Sequence, residues 1–170
     1  MDRNCLILLS IGAMFLVFLN GNFNVAESMG KKHHKAGESV KSLDLVEWRT
    51  LSAGKTEAQE KNMPMLVDFY TGLDCERCRS LDKEVYSDPK LTDAIKSKFV
   101  PVRVSLDREL MDEEKQLMEK LDSGGECVLA FLSPQGEIVA DQKNGKPIAT
   151  MEMLPPDKYM EYMELALNNI

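Results

Sequence analysis

Imidazole is almost missing from this chain. Its 170 residues hold two histidines, His33 and His34, side by side in a polar stretch. Neither falls in the periodic part of the sequence, so a cysteine–histidine nucleophile pair has no base to draw on. Positive charge is also short. Lysine and arginine number 21 against 28 acids, the net charge is −7, and one basic block stands out, Lys31-Lys32-His33-His34-Lys35. That balance argues against a nucleic-acid partner. Adjacent glycines occur once, at Gly124-Gly125, outside any phosphate-loop pattern. No apolar run reaches the ~20 residues that a membrane helix needs. Cysteine is scarce too, with four in the chain, at 5, 75, 78 and 127.

What is present suits one domain with a sizeable core. Hydrophobic residues make up 44% and charged residues 29%, ordinary for a globular protein. The longest apolar run, Cys5 to Leu19, follows Arg3 and precedes Asn20-Gly21-Asn22 and a candidate cleavage site at Asn24-Val25-Ala26. This pattern reads as a secretory signal over residues 1–26, with an N-terminal anchor as the alternative. Residues 27–43 read as a polar linker and 44–170 as the domain. An exported domain, periplasmic or otherwise extracytoplasmic, would work where disulfides form. Loss of Cys5 with the signal leaves an odd set: Cys75, Cys78 and Cys127.

Within the domain, apolar periodicity alternates between two kinds. Val46 to Thr50 reads as a first strand and Ser52 to Lys61 as a helix, broken by Asn62-Met63-Pro64. Met65 to Tyr70 is a buried-type strand. Glu76 to Tyr86 has helical spacing, and Asp88-Pro89 caps and opens the next helix. Val100 to Leu106 is a strand, Leu110 to Leu121 an amphipathic helix ended by Gly124. Val128 to Leu132 and Glu137 to Asp141, joined by Pro134-Gln135-Gly136, form a hairpin. Asn144-Gly145 is a turn signal for a further strand. Pro155-Pro156 opens a last helix, and Met151 and Met153 are expected in the core. The order predicts an α/β fold with a mixed central sheet flanked by helices.

The chemistry sits at Cys75-Glu76-Arg77-Cys78, after the strand and at the start of a helix. Cysteines at this spacing can close a disulfide or share a metal. A thiolate at the helix N-terminus is favoured by free N–H groups and the helix dipole. Cys75 would attack a substrate disulfide and Cys78, one turn on, would release the mixed disulfide. Arg77 and Arg79 favour the thiolate, whereas Asp74 and Glu76 oppose it. Asp68, inside an apolar run, would have a raised pKa and could accept the Cys78 proton.

These residues resemble the thioredoxin superfamily over about Leu45 to Leu167. Met65 to Tyr70 resembles its central strand, with Asp68 on the buried acid and Arg103 where the family carries a strand lysine. Cys75 and Cys78 match the nucleophilic and resolving cysteines. The run from Cys75 to Pro89 is similar to a "C-x-x-C-K-x-L-(D/E)-x-x-V-(F/Y)-x-D-P" pattern. Exported thioredoxin-like proteins share that pattern with the C-terminal domain of the bacterial transmembrane disulfide reductase. The resemblance implies a thioredoxin-like fold and an oxidoreductase serving cell redox homeostasis. Its partners would be protein thiols and disulfides, including a membrane disulfide reductase, with no cofactor expected.

Two departures carry consequences. Asp74 replaces the usual tryptophan before the first cysteine. At Glu126-Cys127 the family has a cis-proline loop that docks substrate; here Cys127 takes the proline's place. A non-proline cis bond costs about 3 kcal/mol, so this loop is expected to be trans. The resemblance puts Cys127 beside Cys75 and Cys78. Three soft thiolates suit Cu(I), Zn²⁺ or a shared iron–sulfur cluster. A fourth ligand would come from water, His33, His34 or a second chain. Cys127 also reads as a small buried apolar residue or as a third redox thiol.

Overall fold

The computed structural model describes residues 45–72 and 75–170. The expected signal (1–26) and linker (27–43) lie outside the described residues, as do Cys5, His33, His34 and Asp74. Among the described residues, no helix is long and apolar enough to cross a membrane.

Among the described residues, ten segments follow one another. α1 (Leu51–Lys61) leads into β1 (Met65–Tyr70), then α2 (Glu76–Ser80) and a π-helical turn (Leu81–Val85). α3 (Pro89–Lys98), β2 (Val100–Ser105), α4 (Asp112–Lys120), β3 (Leu129–Leu132), β4 (Ala149–Thr150) and α5 (Pro156–Leu167) complete the chain. The sheet order is β2-β1-β3-β4. β1 pairs parallel with β2, Asp68 opposite Arg103. It pairs antiparallel with β3, Asp68 opposite Leu129. β1 is the all-apolar central strand save for one acid, as expected of a strand buried on both faces.

Each face of the sheet carries its own core. Met65, Val67 and Phe69 pack with Val100, Val102, Val104, Ala130 and Leu132 against Leu51 and Ala58 of α1 and Leu117 and Met118 of α4. Leu66, Leu129 and Phe131 face Leu81 and Val85, Leu91 and Ile95 of α3, and Tyr159 and Met163 of α5. Alternate residues of each strand serve opposite cores, the period-two signature of a strand.

Local signals explain the boundaries. Thr50 caps α1, accepting from the Ala53 N–H, and Asn62 closes it at φ 48° with its N–H on Ala58 and Gln59 carbonyls. Asp88 accepts from the Leu91 N–H ahead of Pro89 at the start of α3. Inside α4, the fully buried Glu114 is held by both Arg108 nitrogens at 2.8 and 2.6 Å and by the Met111 N–H at 2.9 Å.

Four expectations need correction. Val46 to Thr50 forms no strand; one parallel bridge, Arg49 to Val102, remains. Its last residue, Thr50, instead caps helix α1, which begins at Leu51. Glu137 to Asp141 does not pair as a strand; it makes isolated bridges, Leu132 to Ile138 and Ala140 to Pro147. The strand beside β3 is the short β4, reached through the Asn144-Gly145 turn with Gly145 at φ 70°. The segment Glu76 to Tyr86 is not one continuous α-helix, since it widens to a π turn at Leu81. Met151 and Met153 are 45% and 39% exposed rather than core, because they lie in the open stretch between β4 and α5.

Gly54 shows how closely α1 approaches the sheet. It is buried in the helix face, and a Cβ there would overlap Val102 Cγ2 of β2. Alanine favours an exposed helix over glycine by about 1 kcal/mol, but overpacking a core typically costs about 1–3 kcal/mol. Gly54→Ala should therefore unfold at lower urea than the parent. An unchanged or higher midpoint would show that α1 can withdraw without cost.

Candidate functional site

The site lies where β1 ends. Thr71 and Gly72 leave the strand and are held by Asp107, whose carboxylate accepts from the Gly72 N–H at 2.7 Å and from the Thr71 hydroxyl. Cys75 then caps α2. Its backbone is extended, φ −102° and ψ 105°, and its Sγ accepts from the Cys78 N–H at 3.1 Å. A side chain in the capping position receives the unpaired N–H groups of the first turn. Cys75 is partly exposed and Cys78 is buried, one turn behind it.

Cys127 arrives from the other side by register. Asp68 faces Leu129 on β3, and the Phe69 N–H donates to the Val128 carbonyl at 2.9 Å. The antiparallel ladder therefore carries Cys127 to the end of β1, where the Cys75 turn begins. Cys127 Sγ lies 3.0 Å from Cys78 Sγ and 3.7 Å from Cys75 Sγ. All three sulfurs are thiols and fall within 4.8 Å of one another. Glu126, beside it, is exposed on the loop, its N–H on the Ser123 carbonyl. No cis peptide bond occurs among the described residues, so the Glu126–Cys127 bond is trans.

The three thiols differ in their surroundings. Burial pushes the Cys75 thiol up, but hydrogen bonds from the Cys78 side chain and N–H, from Cys127, and the Arg77 charge outweigh it. The net shift is downward. Burial pushes the Cys78 thiol well up, and its hydrogen bonds to Cys75 and Cys127 add to the rise. Burial also raises Cys127, against the opposing effect of Cys78 and the Thr71 amide. The exposed sulfur is thus the one most readily ionised, and the two behind it hold their protons.

Asp68 is fully buried in β1, but it is not a lone acid. Arg103 Nε and Nη2 both lie 3.2 Å from Asp68 Oδ2. The same guanidinium reaches Asp82 Oδ1 at 2.8 Å, and Asp82 Oδ2 accepts from the Tyr70 hydroxyl at 2.8 Å. Its face lies 4.2 Å from the Trp48 and Tyr70 ring centres and 5.4 Å from Tyr86. Burial raises the Asp68 carboxyl, and the Arg103 charge only partly offsets it.

Of the residues singled out in the sequence, Cys75, Cys78 and Cys127 converge, Asp68 and Arg103 pair with each other, and Glu126 stands at the loop edge. Asp82, Tyr70 and Trp48 were not expected at the site. A signal existed for Asp82: its spacing of four from Cys78 puts both on one helix side. Nothing local marked Trp48, which arrives through the Arg49 bridge to β2.

Compared with known proteins, the chain matches the family model of thioredoxin-like proteins over residues 47–134, more than half its length. It belongs to the thioredoxin-like family. A putative disulphide-isomerase from Bacteroides thetaiotaomicron superposes with TM-score 0.57 at 18% identity, over 74% of this chain and 95% of that one. A thioredoxin from Thermus thermophilus gives 0.55 at 18%, over 73% and 89%. A DsbH oxidoreductase gives 0.54 at 14%, over 82% and 95%. These likenesses concern the fold. No curated protein sequence matches the chain.

The raised Asp68 carboxyl sets a pH dependence. Its folded pKa exceeds the unfolded value of about 3.9, so its contribution is most favourable in acid. It weakens as pH rises from there through the folded pKa. Asp68→Asn removes that loss and leaves Arg103 its Asp82 partner. The stability of Asp68→Asn relative to the parent should therefore grow from acidic to neutral pH in parallel urea titrations. A difference that shrinks over that range would mean Arg103 holds Asp68 ionised.

Proposed function

We propose that this protein is an exported thiol–disulfide oxidoreductase working through Cys75 and Cys78. The observation that carries the reading is the contrast between the two sulfurs: a partly exposed, acid-shifted Cys75 and a buried, proton-holding Cys78 one turn behind. The Cys75 thiolate attacks a protein disulfide; one substrate sulfur leaves with the electron pair and a mixed disulfide forms. Cys78 gives up its proton, attacks Cys75 Sγ and expels the second substrate sulfur. Asp68, buried in β1, is the proton acceptor in this reading. Export rests on the apolar segment before residue 26, and protein disulfides are the substrate class. The Cys75 to Pro89 pattern points to a membrane disulfide reductase as the electron donor. The oxidoreductase and disulphide-isomerase named among the structural neighbours agree in class.

The test is reduction of a disulfide-bonded protein such as insulin, with dithiothreitol as reductant. Cys75→Ser should fall to the uncatalysed rate, and brief alkylation of the reduced parent should label Cys75 first. Retention of half the parental activity by Cys75→Ser, or first labelling at Cys78, would refute the assignment.

A second reading, a metal centre held by Cys75, Cys78 and Cys127, is favoured by the sulfur distances. Zinc–sulfur bonds of about 2.3 Å put tetrahedral sulfur pairs about 3.8 Å apart. Cys75 and Cys127 already stand at 3.7 Å, whereas Cys78 and Cys127 at 3.0 Å would have to part. In reduced protein prepared without oxygen, Zn²⁺ or Cu(I) should bind at one ion per chain or per dimer, and Cys127→Pro should abolish it. Equal affinity in Cys127→Pro would eliminate the three-cysteine centre.

A further inference from the structure

The third sulfur is closer to the reacting pair than a packing role needs. Cys127 is 9% exposed and touches both redox sulfurs, at 3.0 and 3.7 Å. A cysteine kept only as a small apolar filler has no reason to aim its sulfur at two others. Thiol–disulfide exchange needs an attacking sulfur, a central sulfur and a leaving sulfur within reach of one another. Cys127 reaches both possible central sulfurs.

We propose that Cys127 is a second resolving thiol, which makes the site a three-sulfur relay. This rests on Cys75 being the attacking thiol. Once Cys75 is joined to a substrate sulfur, Cys127 loses its proton to solvent and attacks Cys75 Sγ. The Cys127–Cys75 bond forms, the bond to substrate breaks, and the substrate sulfur leaves as a thiolate that takes up a proton. The substrate gains two electrons and the protein loses two. Cys78 then attacks Cys127 Sγ. The Cys78–Cys127 bond forms, the Cys127–Cys75 bond breaks, and Cys75 leaves as a thiolate while the Cys78 proton passes to Asp68, the acceptor proposed above. No electrons leave the protein in this second exchange. Its product stores the disulfide between the two buried sulfurs and returns a free, exposed Cys75.

That product distinguishes the relay from a two-cysteine site. With two cysteines, the oxidised protein has no nucleophile. With the relay, oxidised protein still carries one, so it can attack and reshuffle non-native disulfides without further reduction.

The test uses the reduced full chain, with Cys5→Ser in every variant so that Cys5 contributes no colour, and dithiobis(nitrobenzoate), which releases one coloured thiolate on forming the Cys75 adduct and a second when an internal thiol resolves it. Cys78→Ser should still release the second equivalent, first order and independent of protein concentration. Its rate should stay within about tenfold of the parent, while Cys78→Ser/Cys127→Ala should be slower by at least about a hundredfold. A stable adduct in Cys78→Ser overturns the relay. Undiminished first release from Cys75→Ser is a different result, and overturns the underlying assignment of Cys75. Disulfide mapping of the oxidised parent needs no substitution. It should find Cys127 bonded to Cys78 in a measurable fraction; Cys127 recovered wholly as free thiol overturns the proposal even if Cys78→Ser fails to fold.

Discussion

The antiparallel register of β3 on β1 decides what stands opposite the Cys75 turn. With Asp68 facing Leu129 and the Phe69 N–H on the Val128 carbonyl, the residue before Val128 must arrive at the end of β1. A slip of one residue would send Leu129 and Phe131 to the wrong core and Cys127 away from the cysteines. Both cores oppose that slip, since alternate β3 residues are committed to opposite faces. The apolar packing of the sheet therefore sets the sulfur distances, and the site inherits its geometry from the core.

A second constraint is the charge buried within the sheet. Asp68 occupies a position that packing alone would give to an apolar residue, and removing a carboxylate from water is costly. Arg103 sits opposite it on β2 and offsets part of that cost. It spreads its charge over Asp82 as well and is flanked by the Trp48, Tyr70 and Tyr86 rings. The Arg103 charge is thus already engaged by two acids. The downward shift at Cys75 comes instead from neighbouring hydrogen bonds and Arg77.

Much of this was legible in the sequence because it depends on local pattern. The apolar run Met65 to Tyr70, the capped start at Asp88-Pro89 and the C-x-x-C position each state themselves within a few residues. The thioredoxin-like resemblance then placed Cys127 near the pair. The failures share a cause. Val46 to Thr50 and Glu137 to Asp141 have strand-like composition, but they lie at the margins of the sheet, where pairing depends on neighbours that sequence does not display. The partnership of Asp68 with Arg103 follows from a parallel register across 35 positions, which no window of residues contains.

The central claim is that three sulfurs, not two, share one pocket. Trivalent arsenic reads this directly, because it binds as many thiolates as geometry brings to it. Arsenite added to the reduced protein should bind once per chain, and X-ray absorption at the arsenic edge should show three sulfur neighbours. Two sulfurs and one oxygen around arsenic would mean that Cys127 stands apart, and that the site is a plain C-x-x-C pair.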